Sequence, residues 1–332
     1  MAGVSIATVS RALNGHPDVE EGKRARIHAL AAELHYHPNR MAQHLYGGTR
    51  RTIGILIFDI VDNFFSQVVS SLCRQAACHE FQVMICETHG DLSSTLQAFT
   101  TLIEQRVTAI ITCCPSAEII PAEILLAARS HDIALINLDN TKSAIPVDAI
   151  HSDEGAMAQL ATRYLYQLGH RRIGYFGVAE CYDHMRRAHS VQTALRHLGL
   201  PMTYFAYGGF AESAHLIDAW KAHSPACRPT AVIAWNDYQA LYLLREADRR
   251  GLRIPEDFSL LGYGDLHFAA YLNPALTTIS QCAHQYGEYT FSLLLKRLHT
   301  GFEPAEAPID LVMPATLVQR ESCAPPDPCS LQ

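Results

Sequence analysis

The sequence predicts an α/β protein: two doubly wound parallel-sheet lobes preceded by a small all-α head. Three observations predict it. From Thr52 onward, short apolar runs alternate with helix-length amphipathic segments, the pattern of parallel sheets covered by helices. The alternation occurs twice, one series ending near Leu138 and a second starting near His151. Ahead of both, residues 1–38 carry only helical periodicity, with turn and stop residues where a helix-turn-helix needs them.

In the head, Gly3 makes a turn and Ser5 can cap the helix that follows. Val9, Ala12 and Leu13 mark its buried stripe, and Asn14-Gly15 stop it. A helix of this kind lies in the DNA major groove and reads base edges from its first turns. The chain starts in mid-motif, without the helix that should brace the reading helix. The expectation is that this chain binds an operator poorly and that adding the missing helix restores binding. Residues 19–35 form the next helix, with Ile27, Leu30, Ala31 and Leu34 on one face and Lys23, Arg24 and Arg26 on the other. Pro38 ends it. Asn39 can cap a short helix over Arg40–Leu45, which Gly47-Gly48 breaks.

In the body, the first series reads as strand Ile53–Phe58, helix 64–79, strand Gln82–Cys86, helix 93–105, strand Ala109–Thr112, helix 121–130 and strand Ala134–Leu138. The second reads as helix 154–168, strand Arg172–Phe176, helix 186–198, strand 203–207, helix 211–222, strand Ala231–Ala234, helix 237–250 and strand Ser259–Tyr263. Ligands of such sheets bind beyond the carboxyl ends of the strands, and two lobes can turn those ends toward one cleft. The tail from Ala324, with three prolines, reads as disordered.

Composition bounds the function. Hydrophobic residues make up 48% and charged residues 18%, ordinary for a globular protein. The net charge of −7 is uneven: residues 1–51 hold seven Lys/Arg against four Asp/Glu, so a +3 head precedes a −10 remainder. That suits a polyanion-binding module joined to a body that is not one. The ten cysteines follow no disulfide or metal spacing, which fits a reducing, cytoplasmic setting. There is no secretory signal and no run of 18 apolar residues, so secretion, membrane spanning and a membrane partner are disfavoured. Cys181, His184 and His189 form the nearest metal-type cluster but lack zinc spacing, so neither a metal nor a cofactor is expected. No G-x-S-x-G, Walker A or G-x-G-x-x-G stands at a strand–helix turn, which argues against an enzyme.

The chain resembles the lactose/galactose repressor (LacI/GalR) family of bacterial regulators. The resemblance rests on Ala2-Gly3-Val4-Ser5, Thr8-Val9-Ser10-Arg11, Leu13-Asn14-Gly15, Tyr36-x-Pro38-Asn39 and Ala42-x-x-Leu45 in the head. In the body it rests on Thr52-Ile53-Gly54-Ile55, Asn63-Phe64-Phe65, Leu168-Gly169-His170-Arg171-Arg172-Ile173, Asn236-Asp237-x-x-Ala240, Ile254-Pro255, Leu261-Gly262-Tyr263, Pro274-x-Leu276-Thr277-Thr278 and Arg320-Glu321-Ser322. It implies a helix-turn-helix head over 1–38, a hinge helix and linker over 39–51, and a body similar to periplasmic sugar-binding proteins of type I. Three lobe crossings then assign 52–150 plus 282–308 to an N-lobe and 151–281 plus 309–322 to a C-lobe, with 323–332 as tail.

The resemblance implies a homodimeric repressor with two partners, a pseudo-palindromic double-stranded operator and a small effector such as a sugar, nucleoside or purine. Ile6, Ala7 and Arg11 then read bases; an arginine can grip guanine O6 and N7. Ser5, Thr8, Ser10 and Asn14 suit phosphates. Leu45 wedges into the minor groove or packs on the helix over 19–35, and Asn39, Arg40 and Gln43 touch backbone or groove. In the cleft, Arg187 holds the effector, with Asp153 and Asn236 beside it; Phe64 and Trp235 either face the ligand or belong to the core. The family's aspartate after Gly262-Tyr263 is replaced by Gly264, so Asp265 substitutes by a register shift or the ligand lacks the matching group. Ser190 also replaces a usual glycine. Both departures favour a phosphorylated or acidic ligand. Two other readings stay open: an effector-binding dimer that has lost DNA binding, and a solute-binding protein.

Overall fold

A computed structural model describes residues 3–13, 16–34, 36, 51–114, 119–139, 141–177, 182–200, 204–207, 212–300 and 307–327. The chain divides into two units, Met1–Arg50 and Arg51–Gln332. In the first, Gly3 takes a φ of +66° and α1 spans Ile6–Leu13. Ser5 caps it, its Oγ accepting from the Thr8 amide at 3.2 Å. Helix α2 spans Glu21–Glu33. Ala12, Val19 and Ile27 form the buried centre, with Val4, Val9 and Leu13 packed on it. The face expected on α2 is only partly covered: Ile27 is buried, whereas Leu34 falls past the last helical turn and is 54% exposed. Asn14, Gly15, Asn39, Arg40, Gln43 and Leu45 lie outside the described residues.

The body contains two six-stranded sheets. The first is built from β1 (Thr52–Ile57), β2 (Gln82–Glu87), β3 (Ala109–Cys113), β5 (Ala134–Leu138), β7 (Asp148–Ser152) and β13 (Asp310–Met313), in the order β13-β7-β5-β3-β1-β2. The second contains β8 (Ile173–Gly177), β9 (Tyr204–Tyr207), β10 (Ala231–Ala234), β11 (Ser259–Tyr263), β12 (Thr277–Ser280) and β14 (Thr316–Val318), in the order β14-β12-β11-β10-β8-β9. All pairs are parallel except β12 with β14. A two-stranded pairing of β4 (Ile119–Ile120) with β6 (Lys142–Ser143) stands apart. Central strands β3, β5, β8, β10 and β11 are buried on both faces, which is why they read as unbroken apolar runs.

The connecting helices are α3 (Asn63–Cys78), α4 (Leu92–Glu104), α5 (Ala122–Ser130), α6 (Glu154–Gln167), α7 (Tyr182–His197), α8 (Ser213–Ala222), α9 (Asp237–Arg249) and α10 (Ala283–Thr300). Parallel strands deliver helix N-termini to one edge of each sheet, and polar side chains cap them there. Asp62 caps α3, Asp91 caps α4, Asp153 caps α6 and Asn236 caps α9. Helices α3 and α10 approach so closely that a methyl on Gly287 would collide with Ser71.

The chain passes between the lobes at β7–α6, β12–α10 and β13–β14. The expected boundaries need two corrections. Strand β13 pairs in parallel with β7, from Asp310 opposite Ala149 to Met313 opposite Ser152, so residues 310–313 complete the first lobe rather than the second. A buried bidentate pair pins this region: Arg297 donates from Nε and Nη2 to Asp148, each at 2.7 Å, and Asp148 also accepts from the Ile309 amide. The start of the tail is also docked. The Ala324 carbonyl accepts from Ser259 Oγ at 3.0 Å and lies 3.0 Å from His170 Nε2.

Candidate functional site

The head presents one exposed side of α1. Ser5, Ile6, Ala7, Ser10 and Arg11 are exposed and Thr8 half-buried, opposite the stripe that packs on α2. Ile6 is 90% exposed. An aliphatic side chain held in water at a helix start is unfavourable unless something else covers it.

In the body, the strand ends of the second lobe converge on Arg187. It projects from α7 and is buried. Its Nε and Nη2 donate to the two oxygens of Glu154, at 3.1 and 2.8 Å. Its Nη1 donates to the Trp235 carbonyl at 2.5 Å, just past β10. The guanidinium lies 4.4 Å from the ring centre of Tyr263, the last residue of β11. Burial opposes its charge, but the Glu154 carboxylate outweighs burial and holds the proton on. The Tyr263 hydroxyl is buried and has no hydrogen-bond partner among the described residues. Burial pushes its pKa up beyond the usual phenol range.

The first lobe brings α3 to the same place. Asp62 accepts from the Phe64 and Phe65 amides; burial raises its carboxyl pKa, and attraction to Arg187 partly offsets the rise. Asn63 reaches the second lobe directly: its Nδ2 donates to Tyr238 Oη, on α9, at 2.6 Å. Phe64 stacks edge-on against Tyr286, centroids 5.6 Å apart. The Tyr286 hydroxyl, 2.7 Å from Ser152 Oγ, sits at the start of α10, beside the second crossing.

The structure therefore joins Arg187 to the Trp235 backbone, packs Phe64 on Tyr286 and sorts the other expected residues differently. Trp235 is half-buried against the second lobe's core. Asn236 spends its side-chain oxygen on the Gln239 amide as the cap of α9. Asp153 is exposed and accepts from the Ala156 amide, while its neighbour Glu154 turns inward to Arg187. Asp265, the candidate stand-in for the missing aspartate, has its carboxylate accepting from Arg320 Nη2 at 2.7 Å. Local backbone sets this placement. Gly264 takes a φ of +124°, a conformation glycine enters freely, and Asp265 follows at +51°. Asp237 occupies the ground beneath, accepting from Thr278 Oγ1 at 2.6 Å and the Leu266 amide at 2.7 Å, and a methyl on Gly262 would strike it.

Sequence reasoning missed Glu154, Asp62, Asn63, Tyr238, Tyr263 and Tyr286. Glu154 and Asp62 had a signal: each stands at or beside a helix cap just past a strand. Among the described residues no group of three or more metal-ligating side chains gathers, and no helix is long and apolar enough to cross a membrane.

Comparison with known proteins decides the family. An HTH-type transcriptional repressor PurR of Vibrio vulnificus is 32% identical over 306 residues, 90% of each chain. The chain belongs to the LacI/GalR family of bacterial transcriptional regulators. Consistent with this, residues 1–39 match the bacterial regulatory proteins of the lacI family, and residues 162–323 match a periplasmic binding protein-like domain. A Lac repressor dimer bound to operator and the anti-inducer ONPF superposes with a TM-score of 0.81 at 25% identity, covering 97% of this chain and 96% of that one. A LacI family transcriptional regulator from Enterococcus faecium with bound ribose superposes with a TM-score of 0.70 at 25% identity, over 82% of this chain and 99% of that one. This LacI/GalR regulator thus has the type I periplasmic-binding-protein fold behind a helix-turn-helix head.

Proposed function

We propose that this regulator represses transcription as a homodimer, with α1 of each head reading one half of a pseudo-palindromic operator and a small hydroxylated effector seated between the lobes. Ile6, Ala7 and Arg11 read bases, and Ser5, Thr8, Ser10, Asn14, Asn39, Arg40 and Gln43 position the backbone, with Leu45 wedged in the minor groove. The ribose-bound and ONPF-bound relatives support a sugar-like ligand in the cleft.

The observation that carries this reading is the meeting of both lobes at one locus. Arg187, the Trp235 carbonyl and the Tyr263 ring meet in the second lobe, Asp62 interacts with Arg187 from the first, and Asn63 bonds to Tyr238 across the gap. A molecule bound there with different affinity in two lobe arrangements shifts their balance, and the operator affinity with it. The test is a DNA-shift titration over a salt series with and without neutral pentoses, hexoses and nucleosides. A steep loss of DNA affinity with salt and a change in midpoint with one ligand are expected. DNA binding that no tested ligand shifts sinks the regulatory reading.

A further inference from the structure

The arginine that should grip the effector is already gripped. Of the five guanidinium N–H groups, Arg187 spends two on Glu154 and one on the Trp235 carbonyl, and its face lies on Tyr263. Glu154 itself is buried and its two oxygens are both engaged by the same guanidinium. The Arg187 charge is therefore compensated inside the chain before any ligand arrives.

The surroundings add more negative charge. Asp62 is attracted to Arg187 from the first lobe and is itself repelled by Asp59. Tyr286, packed on Phe64, feels both Asp139 and Glu154. Of these carboxylates, Glu154 is bonded to the guanidinium and Asp62 acts on it from the first lobe. A phosphate or carboxylate that takes the two remaining N–H groups meets a guanidinium whose charge Glu154 already offsets, and one that displaces Glu154 leaves a buried carboxylate beside a second anion. Both the lost pair and the repulsion oppose this. A hydroxyl needs only one of the two N–H groups that remain.

We propose that Glu154 sets the charge specificity of the cleft: by filling the Arg187 fork it admits uncharged, hydroxylated effectors and rejects anionic ones. This rests on the cleft being the effector site, as proposed above. It reverses the expectation, drawn from Gly264 and Ser190, of a phosphorylated or acidic ligand.

The test compares wild-type protein with Glu154→Gln and, in each background, Arg187→Lys. Ribose, ribose 5-phosphate and inorganic phosphate are titrated at constant ionic strength, with binding read by calorimetry and thermal shift. Wild type is expected to bind neither phosphate probe in an Arg187-dependent way. Glu154→Gln, which keeps one acceptor oxygen but loses the charge, is expected to gain about tenfold or more in phosphate affinity, and Arg187→Lys is expected to remove the gain. Arg187-dependent phosphate binding by the wild type overturns the proposal and needs no variant to detect. So does a folded Glu154→Gln protein with no gain. If that variant does not fold, Glu154→Asp, which draws the carboxylate back by one methylene, must show a smaller gain in the same direction or the proposal fails. Failure of the regulatory reading is separable, since it appears as unresponsive DNA binding while these DNA-free titrations behave as stated.

Discussion

Arg187 and Glu154 are worth more as a pair than as single residues, and their energetics are testable without a ligand. Removing one partner of a buried ion pair leaves an uncompensated charge and costs about 3–5 kcal/mol, whereas removing both is far milder. Arg187→Ala should therefore destabilise the protein by about that amount in denaturant unfolding, and adding Glu154→Gln should recover a substantial part. Additive losses would show that the two side chains do not depend on each other. At the far end of the second sheet, His170 supplies a second residue-scale prediction. Its Nδ1 lies 2.9 Å from Thr230 Oγ1 and its Nε2 3.1 Å from Ser259 Oγ. Burial lowers its pKa from 6.5 to about 4, against the opposing pull of the Ala324 carbonyl. As pH falls below 6.5 the unfolded chain takes this proton first. The stability contributed by neutral His170 is thus full above 6.5 and is lost on descending through about 4, by up to about 3 kcal/mol. Asp237 acts with the opposite sign: burial raises its pKa from 3.8 to about 6, so its neutral form stabilises at low pH and that contribution is lost as pH rises through about 6. His170→Gln removes only the first slope. Its melting temperature should lie below wild type at pH 7 and converge on it toward pH 4; a constant gap would refute the assignment.

Between elements, the hydrogen bond from Asn63 on α3 to Tyr238 on α9 is a direct tie across the two lobes. Tyr238→Phe keeps the ring and its tilted packing on Phe268, 5.2 Å away, and removes only the hydroxyl. Losing one such bond costs about 0.5–1.5 kcal/mol, enough to move a finely balanced lobe equilibrium several-fold. Tyr238→Phe is expected to raise the radius of gyration of the ligand-free protein in solution scattering and weaken any ligand that favours the closed arrangement. An unchanged profile together with unchanged affinity would show that the tie does not set lobe position. This bond also marks where sequence reading ran out. Strands such as Ala134–Leu138, Ala231–Ala234 and Ser259–Tyr263 were legible because burial on both faces writes an apolar run. Strand β13 was not: at the edge of its sheet it alternates exposed and covered residues over only four positions, and its place depends on pairing with β7, about 160 residues earlier. The site divided the same way. Arg187 stood out by local pattern, but its partner Glu154 and the Asn63–Tyr238 pair are separated by 33 and 175 residues, distances that only the folded sheets close. At Asp153 and Glu154 the two adjacent acids were distinguishable only by helix geometry, which turns the cap outward and the next residue in.

At the scale of the whole molecule, a +3 head precedes a −10 remainder, so affinity for DNA and selectivity among DNA sequences must be separated by experiment. In the proposed reading, phosphate contacts from the head supply salt-dependent affinity for any duplex, and base contacts from α1 supply the preference for one. Arg11, exposed on the side of α1 away from Ala12 and Val9, distinguishes the two. If its guanidinium grips a guanine edge, Arg11→Ala costs about 1–3 kcal/mol on the operator and little on unrelated DNA, and the slope of log affinity against log salt on unrelated DNA stays as it was. If it grips a phosphate instead, both DNAs lose equally and that slope falls by about one. The base-reading role predicts the first outcome, measured by fluorescence anisotropy on operator and scrambled duplexes across a salt series. Linkage adds a further constraint within the same experiment. An effector that weakens operator binding by some factor must itself bind the operator complex more weakly by that factor. Arg11→Ala sits outside the cleft and should leave effector affinity of the DNA-free protein unchanged. Arg187→Ala should do the reverse, abolishing the effector response while leaving effector-free operator selectivity intact. A variant set in which Arg11→Ala alters cleft binding without DNA would mean that the head is not an independent reader but part of the sensor.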